Sequence, residues 1–384
     1  MKILIATCGV GIGHSSRDLA LANYLKNNGH TIEFASYGSG LKYLKKYNFN
    51  TYPLPKMNFE GQDGEINIEE SIKQSKDIPF TFIKSMYKES RIIKKAKPDV
   101  IICDSHYSMP ITAKFLNIPC YIITNDLTFG FSKSTQMKSI KYFEKSIRRF
   151  IIEITKSCNK IMIPDIPGVI EIPEELKNKT EYIGPLLHYH ADELGTKHDL
   201  RQKYKIKDDE TVLVVTIGGS EFGKILIKNI CDISKDIEAD KIIVFTGLEV
   251  DLSSFKNYDS KVIINEFTHN LLEWMKLSDL TITLAGHTTS MELLSIKKPN
   301  IMIPILNHVE QERNSKRMEK TGITQVVEIN NSERLLELIN DSLRQINTIK
   351  IDNELYTKFL SYDGKKNALD TIQNNINQIK QIYS

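Results

Sequence analysis

Ala285-Gly-His-Thr-Thr-Ser-Met-Glu292 is the stretch that decides the fold. Residues 279–284, just before it, are apolar and β-branched and predict a buried strand. Gly286 ends that strand, and residues 291–296 have the apolar spacing of a helix. This order of strand, glycine turn and helix predicts a parallel α/β unit in which the helix begins at the carboxyl end of the sheet.

Hydroxyl side chains and backbone N–H groups gather at the start of that helix. His287, Thr288, Thr289 and Ser290 come first, and the first N–H groups of a helix have no acceptor inside it. Because the helix dipole is positive at this end, the site favours a phosphate. Glu292 lies about one turn further on, where its carboxylate can accept hydrogen bonds from ribose hydroxyls. Ordinary N-capping is the favoured interpretation of the Thr-Thr-Ser run alone, but the whole arrangement favours a nucleotide-diphosphate site.

A second helix start follows at once. Residues 299–305 predict the next strand, and Glu310 and Gln311 open the helix after it. Because parallel strands end at the same edge of a sheet, we expect these two polar side chains to face the same crevice.

The first half of the chain begins with a similar unit. Residues 2–9 predict a strand, Gly9, Gly11 and Gly13 form a glycine turn, and an amphipathic helix begins at His14. The turn departs from the dinucleotide-binding fingerprint, because its third glycine would fall at His14 and the acidic residue after the second strand is missing. The departure places a histidine at the mouth of the predicted site.

Polar residues also end two further predicted strands of the first half. Residues 98–104 end in Asp104, and residues 118–124 are followed by Asn125 and Asp126. Such strand ends line the ligand crevice of a doubly wound sheet. For Asp104 and Asp126, N-capping of the next helix is as good an interpretation as a chemical role.

Residues 131–157 predict a helix with a basic face. Apolar residues alternate there with a series of cations, which are Lys133, Lys138, Lys141, Lys145, Arg148 and Arg149. Most helices of this kind pack on their own sheet and leave the charged side in water. The functional alternative is contact with anionic lipid head groups.

The second half repeats the architecture of the first. Residues 211–217 predict a strand, and the glycine turn 218–223, with Gly219 and Ser220, is a second candidate phosphate cradle. We therefore predict an α/β fold with two Rossmann-like, doubly wound domains that face each other across a cleft. The predicted boundaries are 1–187 for the first domain, 188–210 for a linker and 211–364 for the second domain, with a final helix at 365–384 that packs back across the junction.

Composition limits the possible functions. A formal charge of +3 over 384 residues, without a dense basic run, argues against nucleic acid as a partner. The five cysteines show no paired spacing, and the histidines at 188, 190 and 198 lack companion metal ligands. No apolar stretch approaches the ~20 residues of a membrane span, and no signal peptide is recognisable. We expect a cytoplasmic protein that can contact the inner face of the membrane.

With these motifs in hand, the chain resembles GT-B glycosyltransferases. It is similar to the bacterial N-acetylglucosaminyltransferases that form lipid II, and to UDP-glycosyltransferases more widely. The resemblance is carried by residues 285–292, by Glu310-Gln-Glu-Arg-Asn314, by the glycine loop that ends in His14, and by Gly218-Gly-Ser220.

The resemblance implies a role for each matching residue. Glu292 binds the ribose, Phe267 borders the uracil, and Glu310 and Gln311 contact the donor sugar. Further substrate contacts fall to Gly11, Gly13, Gly219, Ser220, His287, Thr288, Thr289, Ser290 and Asn314. His14 acts as the general base or orients the acceptor. Asp104 or Asp126 assists it, and no motif fixes which.

The resemblance implies an inverting transfer from a UDP-sugar, such as an N-acetylhexosamine donor, to a hydroxyl of a lipid-linked precursor of the cell envelope. His14, as a neutral imidazole, takes the acceptor proton. The sequence has no Asp-x-Asp motif, so no metal or other cofactor is expected. Two alternatives stay open, namely a UDP-sugar 2-epimerase of the same fold and a non-catalytic UDP-sugar-binding subunit.

Overall fold

The computed structural model describes residues 1–56, 61–62, 65–66, 78–127, 138–218, 223–255, 258–328 and 332–383. The chain folds into two compact units. Unit one comprises Met1–Glu60, Ile68–His188 and Lys358–Ser384, and unit two comprises Gly61–Asn67 and Tyr189–Thr357.

Unit one is built on a seven-stranded parallel sheet. The strands are β1 (Lys2–Thr7), β2 (Thr31–Ser36), β3 (Asn50–Pro53), β6 (Val100–Asp104), β7 (Cys120–Ile123), β8 (Lys160–Ile163) and β9 (Thr180–Tyr182). The two short strands β4 (Gly61–Gln62) and β5 (Glu65–Ile66) form a separate antiparallel pair, which is assigned to unit two. The order in the seven-stranded sheet is β3-β2-β1-β6-β7-β8-β9. The central strands are rich in isoleucine and buried on both faces, as parallel strands covered by helices must be.

Among the described residues, six α-helices belong to unit one. They are α1 (Gly13–Asn27), α2 (Gly38–Leu44), α3 (Ile78–Ala96), α4 (Met109–Phe115), α5 (Lys138–Lys156) and, after the whole of unit two, α13 (Gly364–Tyr383). Helix α13 is tied to this sheet because Tyr121 Oη donates to Asn375 Oδ1 at 2.9 Å, and Thr371 Oγ1 donates to Glu181 Oε2 at 2.7 Å.

Unit two repeats the plan with six parallel strands. The strands are β10 (Val212–Thr216), β11 (Lys241–Phe245), β12 (Val262–Asn265), β13 (Leu280–Leu284), β14 (Asn300–Ile303) and β15 (Thr324–Val326). Their order is β12-β11-β10-β13-β14-β15. The helices are α6 (Lys197–Lys203), α7 (Lys224–Ile233), α8 (Leu271–Leu277), α9 (His287–Ser295), α10 (Val309–Glu319), α11 (Ser332–Arg344) and α12 (Asn353–Leu360), in which the unit boundary falls.

The predicted linker at 188–210 differs from a plain connection. It contains α6, whose start is closed by a reciprocal capping box between Thr196 and Asp199. Arg201 of this helix is buried and donates hydrogen bonds to Leu277 O and Asp279 Oδ2. Charged residues that suggested a linker therefore make internal hydrogen bonds, and residues 189–210 belong to unit two, whereas His188 belongs to unit one.

Part of the predicted basic helix lies within the described residues. The basic helix predicted at 131–157 is described only from Lys138 to Lys156, and Lys133 lies outside the described residues.

Strand order creates one special position in each sheet. In unit one the chain leaves β1 for β2 on one side and returns to β6 on the other, and Thr7 lies beside Asp104 in this register. In unit two the equivalent reversal separates β10 from β13. Crevices at such topological switch points are the usual ligand sites of open parallel sheets. Both sequence motifs therefore begin where the architecture favours binding.

Candidate active site

His14 stands at the switch point of unit one. A Cβ added at Gly9 would lie 1.9 Å from Tyr37 O, and Gly11 has φ +64°, so the turn after β1 depends on glycine at both positions. The turn delivers His14 to the first turn of α1, where its side chain is 24% exposed. Its Nδ1 lies 2.9 Å from Oδ1 of the fully buried Asp104. An imidazole held in this way by a carboxylate presents its Nε2 for proton transfer.

The structure thus chooses between the two predicted assistants of His14. Asp104 ends β6, the strand paired with β1, whereas Asp126 follows β7, one strand further away. The backbone oxygen of Asp126 accepts a hydrogen bond from Thr124 Oγ1 at 2.8 Å in a local turn. The Asp126 charge adds to the rise in the pKa of the Tyr107 phenol, of which burial is the main cause. Asp104 is therefore the acid that touches His14.

Arg17 completes this arrangement and was missed in the sequence. Its Nε and Nη2 each lie 2.5 Å from a different oxygen of Asp104, and its Nη2 lies 3.0 Å from His14 Nδ1. Its guanidinium also reaches Asn125 Oδ1 at 3.4 Å. The spacing of His14 and Arg17 gave one indication in the sequence, because residues three apart on a helix share a face. However, nothing local shows that this face of α1 meets the end of β6.

Electrostatics keep Asp104 charged. Burial alone would raise the pKa of Asp104, but the Arg17 guanidinium, and after it His14, bring that pKa well below its usual range. Asp18, on the same face of α1, behaves in the opposite way. Burial, followed by repulsion from Asp104, raises the pKa of Asp18 well above its ordinary value. The pKa values of these two buried carboxyl groups are therefore shifted in opposite directions.

The second candidate site is the start of α9, which follows β13 at the switch point of unit two. Gly286 is the N-cap residue and, because glycine has no side chain, it supplies no side-chain capping bond to the helix. His287 and Thr288 are buried and Thr289 is partly exposed. The helix dipole and the first-turn N–H groups therefore mark this end as suited to an anion.

Ser290 departs from its predicted role as a phosphate ligand. Its hydroxyl is fully buried and donates to Gly286 O at 2.8 Å, while its N–H donates to the same oxygen at 3.0 Å. Both donors of Ser290 are thus used inside the helix. Ser290 is a packing residue here, because the fourth residue of a helix already closes the first intrahelical bond.

Glu292 is buried in the second turn of α9. Its side chain is only slightly exposed, and burial raises its pKa to about 7. Among the ion pairs of the described residues, none includes Glu292. A carboxyl group buried without a cation is costly to the fold, so its position calls for a ligand that can donate hydrogen bonds.

The start of α10 lies beside this group. Gln311 Oε1 accepts a hydrogen bond from Ile305 N at 3.0 Å, and Asn314 Nδ2 donates to Ala285 O at 3.1 Å. Both side chains are buried, and they bind α10 to the turns after β14 and β13. Glu310 is partly exposed and lies 3.5 Å from Asn314 Nδ2. Asn314 and the Gln311 oxygen thus hold the backbone around the site in place, while Glu310 is more accessible to a ligand.

The remaining predicted positions are distributed as follows. Phe267, after β12, is partly buried and meets the His269 ring edge-on at 4.9 Å. Gly13 is the first residue of α1. Gly219 and Ser220 lie outside the described residues, and their role as a phosphate cradle stays a prediction.

Two further observations concern the predictions about a membrane and a metal ion. Among the residues that the structure describes, no helix is long and apolar enough to cross a bilayer. In the same residues, no group of three or more His, Cys, Asp or Glu side chains is arranged to hold a metal ion.

Comparison with known proteins addresses the fold and the class of activity. Residues 212–367 match the glycosyltransferase family 28 C-terminal domain. An uncharacterized glycosyltransferase of Methanosarcina mazei is 28% identical over 345 residues, which cover 89% of this chain and 90% of that protein. A Clostridium perfringens UDP-N-acetylglucosamine–N-acetylmuramyl-(pentapeptide) pyrophosphoryl-undecaprenol N-acetylglucosamine transferase is 29% identical over 355 residues, with coverage of 88% and 89%.

Solved structures give the same fold. MurG of Acinetobacter baumannii superimposes with a TM-score of 0.60 at 16% identity, and the match covers 97% of this chain and all of that one. The spinosyn rhamnosyltransferase SpnG in complex with thymidine diphosphate gives a TM-score of 0.66 at 11% identity, with coverage of 97% and 100%. The predicted fold class of two parallel, doubly wound α/β domains is confirmed, and so is the predicted resemblance.

Proposed function

We propose, from the premise that this chain is a glycosyltransferase of the GT-B fold similar to the lipid II-forming N-acetylglucosaminyltransferases, that it moves an N-acetylhexosamine from a UDP-sugar to a hydroxyl acceptor with inversion. The observation that carries this proposal is the pairing of a partly exposed His14 with the buried, ionised Asp104. That pair is suited to taking the proton of an attacking hydroxyl.

Unit two would bind the donor. Glu292 would accept hydrogen bonds from the ribose hydroxyls, and the start of α9 would stabilise the negative charge that develops on the departing diphosphate. Because Gln311 Oε1 is bonded to Ile305 N, donor sugar contacts would fall to Glu310 and to the Gln311 amide nitrogen. We propose that no metal ion is needed, since a helix N-terminus supplies the electrostatic stabilisation.

The test of the catalytic proposal is His14→Ala. With UDP-N-acetylglucosamine and a lipid-linked monosaccharide acceptor, we expect turnover to fall by roughly 10²–10⁴-fold while the donor dissociation constant stays the same. His198→Ala is the matched control, because His198 is exposed and paired with Asp208 at the surface. Unchanged turnover in His14→Ala would remove His14 from the chemistry.

The same assay separates the two alternatives. The donor incubated without acceptor should remain intact, whereas a 2-epimerase would convert it to a second sugar nucleotide. Donor binding without transfer to any acceptor would instead indicate a non-catalytic binding subunit.

We further propose that unit one contacts an anionic membrane surface, where a lipid-linked acceptor would lie. Helices α3 and α5 are neighbours, since the rings of Phe82 and Phe150 lie 5.5 Å apart. Their outer faces expose Phe80, Ile83, Tyr87 and Tyr142, each by at least 67%. Exposed cations lie among them, namely Lys84, Lys88, Lys141, Lys145 and Arg149. Apolar and cationic side chains on one face are what an interfacial helix requires.

Flotation with vesicles that contain anionic lipid tests this surface. The double variant Phe80→Ser/Tyr142→Ser should lose most of its binding, and neutral vesicles should bind the unchanged chain weakly. Ile263→Ser is the control, because Ile263 is an exposed apolar residue on β12 of unit two. Equal binding of both variants would contradict the proposal.

A further inference from the structure

Arg17 shares one carboxylate with the proposed base. Its side chain is only 3% exposed, and its fork grips both oxygens of Asp104. The oxygen that receives Arg17 Nη2 is the same Oδ1 that lies 2.9 Å from His14 Nδ1. Asp104 is therefore a carboxylate with two partners, one of which is a permanent cation.

This sharing matters because a base must be unprotonated to work. A carboxylate beside an imidazole favours the cationic, protonated ring, and a cation beside it disfavours that ring. In an isolated histidine–aspartate pair only the first effect operates. Here Arg17 Nη2 lies 3.0 Å from His14 Nδ1, so the second effect operates at the same atom.

We propose that Arg17 is a positioning residue that keeps the His14 imidazole unprotonated near neutral pH. Its guanidinium offsets the negative charge of the ionised Asp104 and places a fixed positive charge beside His14 Nδ1. The Asp104 carboxylate still accepts the hydrogen of His14 Nδ1 and so fixes the orientation of the ring. With its charge offset by Arg17, it favours protonation of His14 Nε2 much less. This inference deepens the proposed function, because it rests on His14 as the base.

The other titratable groups around the cluster leave Arg17 as its main charge regulator. Burial raises the pKa of the Cys8 thiol, after β1, and of the Tyr107 phenol, after β6. Burial, and after it the charge of Asp104, raises the pKa of Asp18 on α1. Burial lowers the pKa of His188 to about 4, and this ring accepts or donates a 2.8 Å bond with Ser16. Each of these four pKa shifts disfavours the charged form of its group.

Two further charged residues lie at the edge of this region. The Asp126 carboxylate acts on Tyr107, and the Lys365 ammonium acts on His188. Neither makes a contact like that of Arg17, which donates two hydrogen bonds to Asp104 and whose Nη2 lies 3.0 Å from His14 Nδ1.

The decisive variant is Arg17→Met, which keeps length and removes the charge. In the full-length chain with ¹⁵N-labelled histidine rings, we expect the midpoint of the His14 NMR titration to move up by about one pH unit or more. The signal is assigned by its loss in His14→Gln. The acidic limb of the kcat/KM profile should move with it, so activity falls about tenfold at pH 6.5 and recovers above pH 8.5. Arg17→Lys, which keeps a positive charge, should shift the His14 midpoint and the acidic limb of the kcat/KM profile much less.

Arg201→Met is the matched control. Arg201 is equally buried and also pairs with an aspartate, Asp279, but in unit two. It should weaken folding in the same way and leave the His14 midpoint unchanged. A purely structural role of Arg17 predicts the same behaviour for both variants, and an unchanged midpoint in folded Arg17→Met would overturn the inference.

A second pair keeps the test decisive if Arg17→Met does not fold. Asp104→Asn retains the Arg17 charge, whereas Arg17→Met/Asp104→Asn removes both charges and leaves no unpaired ion. The His14 midpoint must be higher in the double variant than in Asp104→Asn, and equal midpoints would refute the inference. The titration needs no substrate. A shifted midpoint with full activity in His14→Gln would therefore leave the Arg17 inference standing and remove the proposed base.

Discussion

Asp104 in unit one and Glu292 in unit two are both buried carboxyl groups near the carboxyl end of a central strand, and the chain treats them in opposite ways. Asp104 is gripped by Arg17, which keeps it ionised. Burial raises the pKa of Glu292 to about 7, and no ion pair of the described residues offsets it. The difference shows that a buried acid paired with a cation can position a catalytic neighbour, whereas a buried acid without a cation is suited to accept hydrogen bonds from a ligand.

The largest expected effect comes from making both acids amides. Asp104→Asn leaves the Arg17 cation buried without its partner, so we expect unit one to lose roughly 3–5 kcal/mol of unfolding free energy. Glu292→Gln should cost unit two nothing at pH 8. Hydrogen exchange of peptides from residues 1–56 reports unit one, and fluorescence of Trp274, the single tryptophan, reports unit two. Equal losses would abolish the comparison.

The next effect is a pH dependence of unit two. The folded-state pKa of Glu292 is raised from 4.5 to about 7, so the folded unit binds the proton more tightly than the unfolded chain does. Unfolding free energy should therefore fall as pH rises from about 4.5 to 7 and level off above, by up to about 3 kcal/mol. In Glu292→Gln this fall should disappear. Urea titrations followed by Trp274 fluorescence between pH 5 and pH 8 measure it, with Asp104→Asn as the variant that retains the fall.

The affinity for the donor should also depend on pH, because the ionisation of Glu292 changes its ability to accept hydrogen bonds from the ribose. If ribose hydroxyls donate to ionised Glu292, each pH unit below about 7 should weaken UDP-N-acetylglucosamine binding by up to about tenfold. Calorimetry with the UDP-sugar is preferable to UDP, whose terminal phosphate titrates in the same range. A profile that stays flat in the unchanged chain, or equally steep in Glu292→Gln, would separate Glu292 from the ribose.

The smallest expected effect concerns α9. Ser290→Ala removes an internal bond to Gly286 O, so it should cost about 1 kcal/mol of stability and leave donor affinity within about twofold. Thr289→Ala, at the partly exposed position one residue earlier, should weaken donor binding more than stability. Thermal unfolding and calorimetry on the two variants measure both quantities. The opposite order would place the Ser290 hydroxyl in the site.

The sequence by itself determined the alternation of strands and helices, the two glycine turns, and the polar residues that end the central strands. These features follow from local causes, namely apolar periodicity, glycine conformations and helix-start residues. Glu292 was recognisable for the same reason, since it stands at a fixed distance from the turn that begins α9.

Only the tertiary structure decided which groups meet. The order β1-β6-β7 places Asp104, rather than Asp126, beside His14, although both acids end strands in the same half of the chain. The same packing turns Arg17 onto Asp104, directs the Ser290 hydroxyl back into its helix and absorbs the predicted linker into unit two. The physical reason is that these contacts join residues far apart in sequence, and their free energy depends on strand order and burial, which no local pattern encodes.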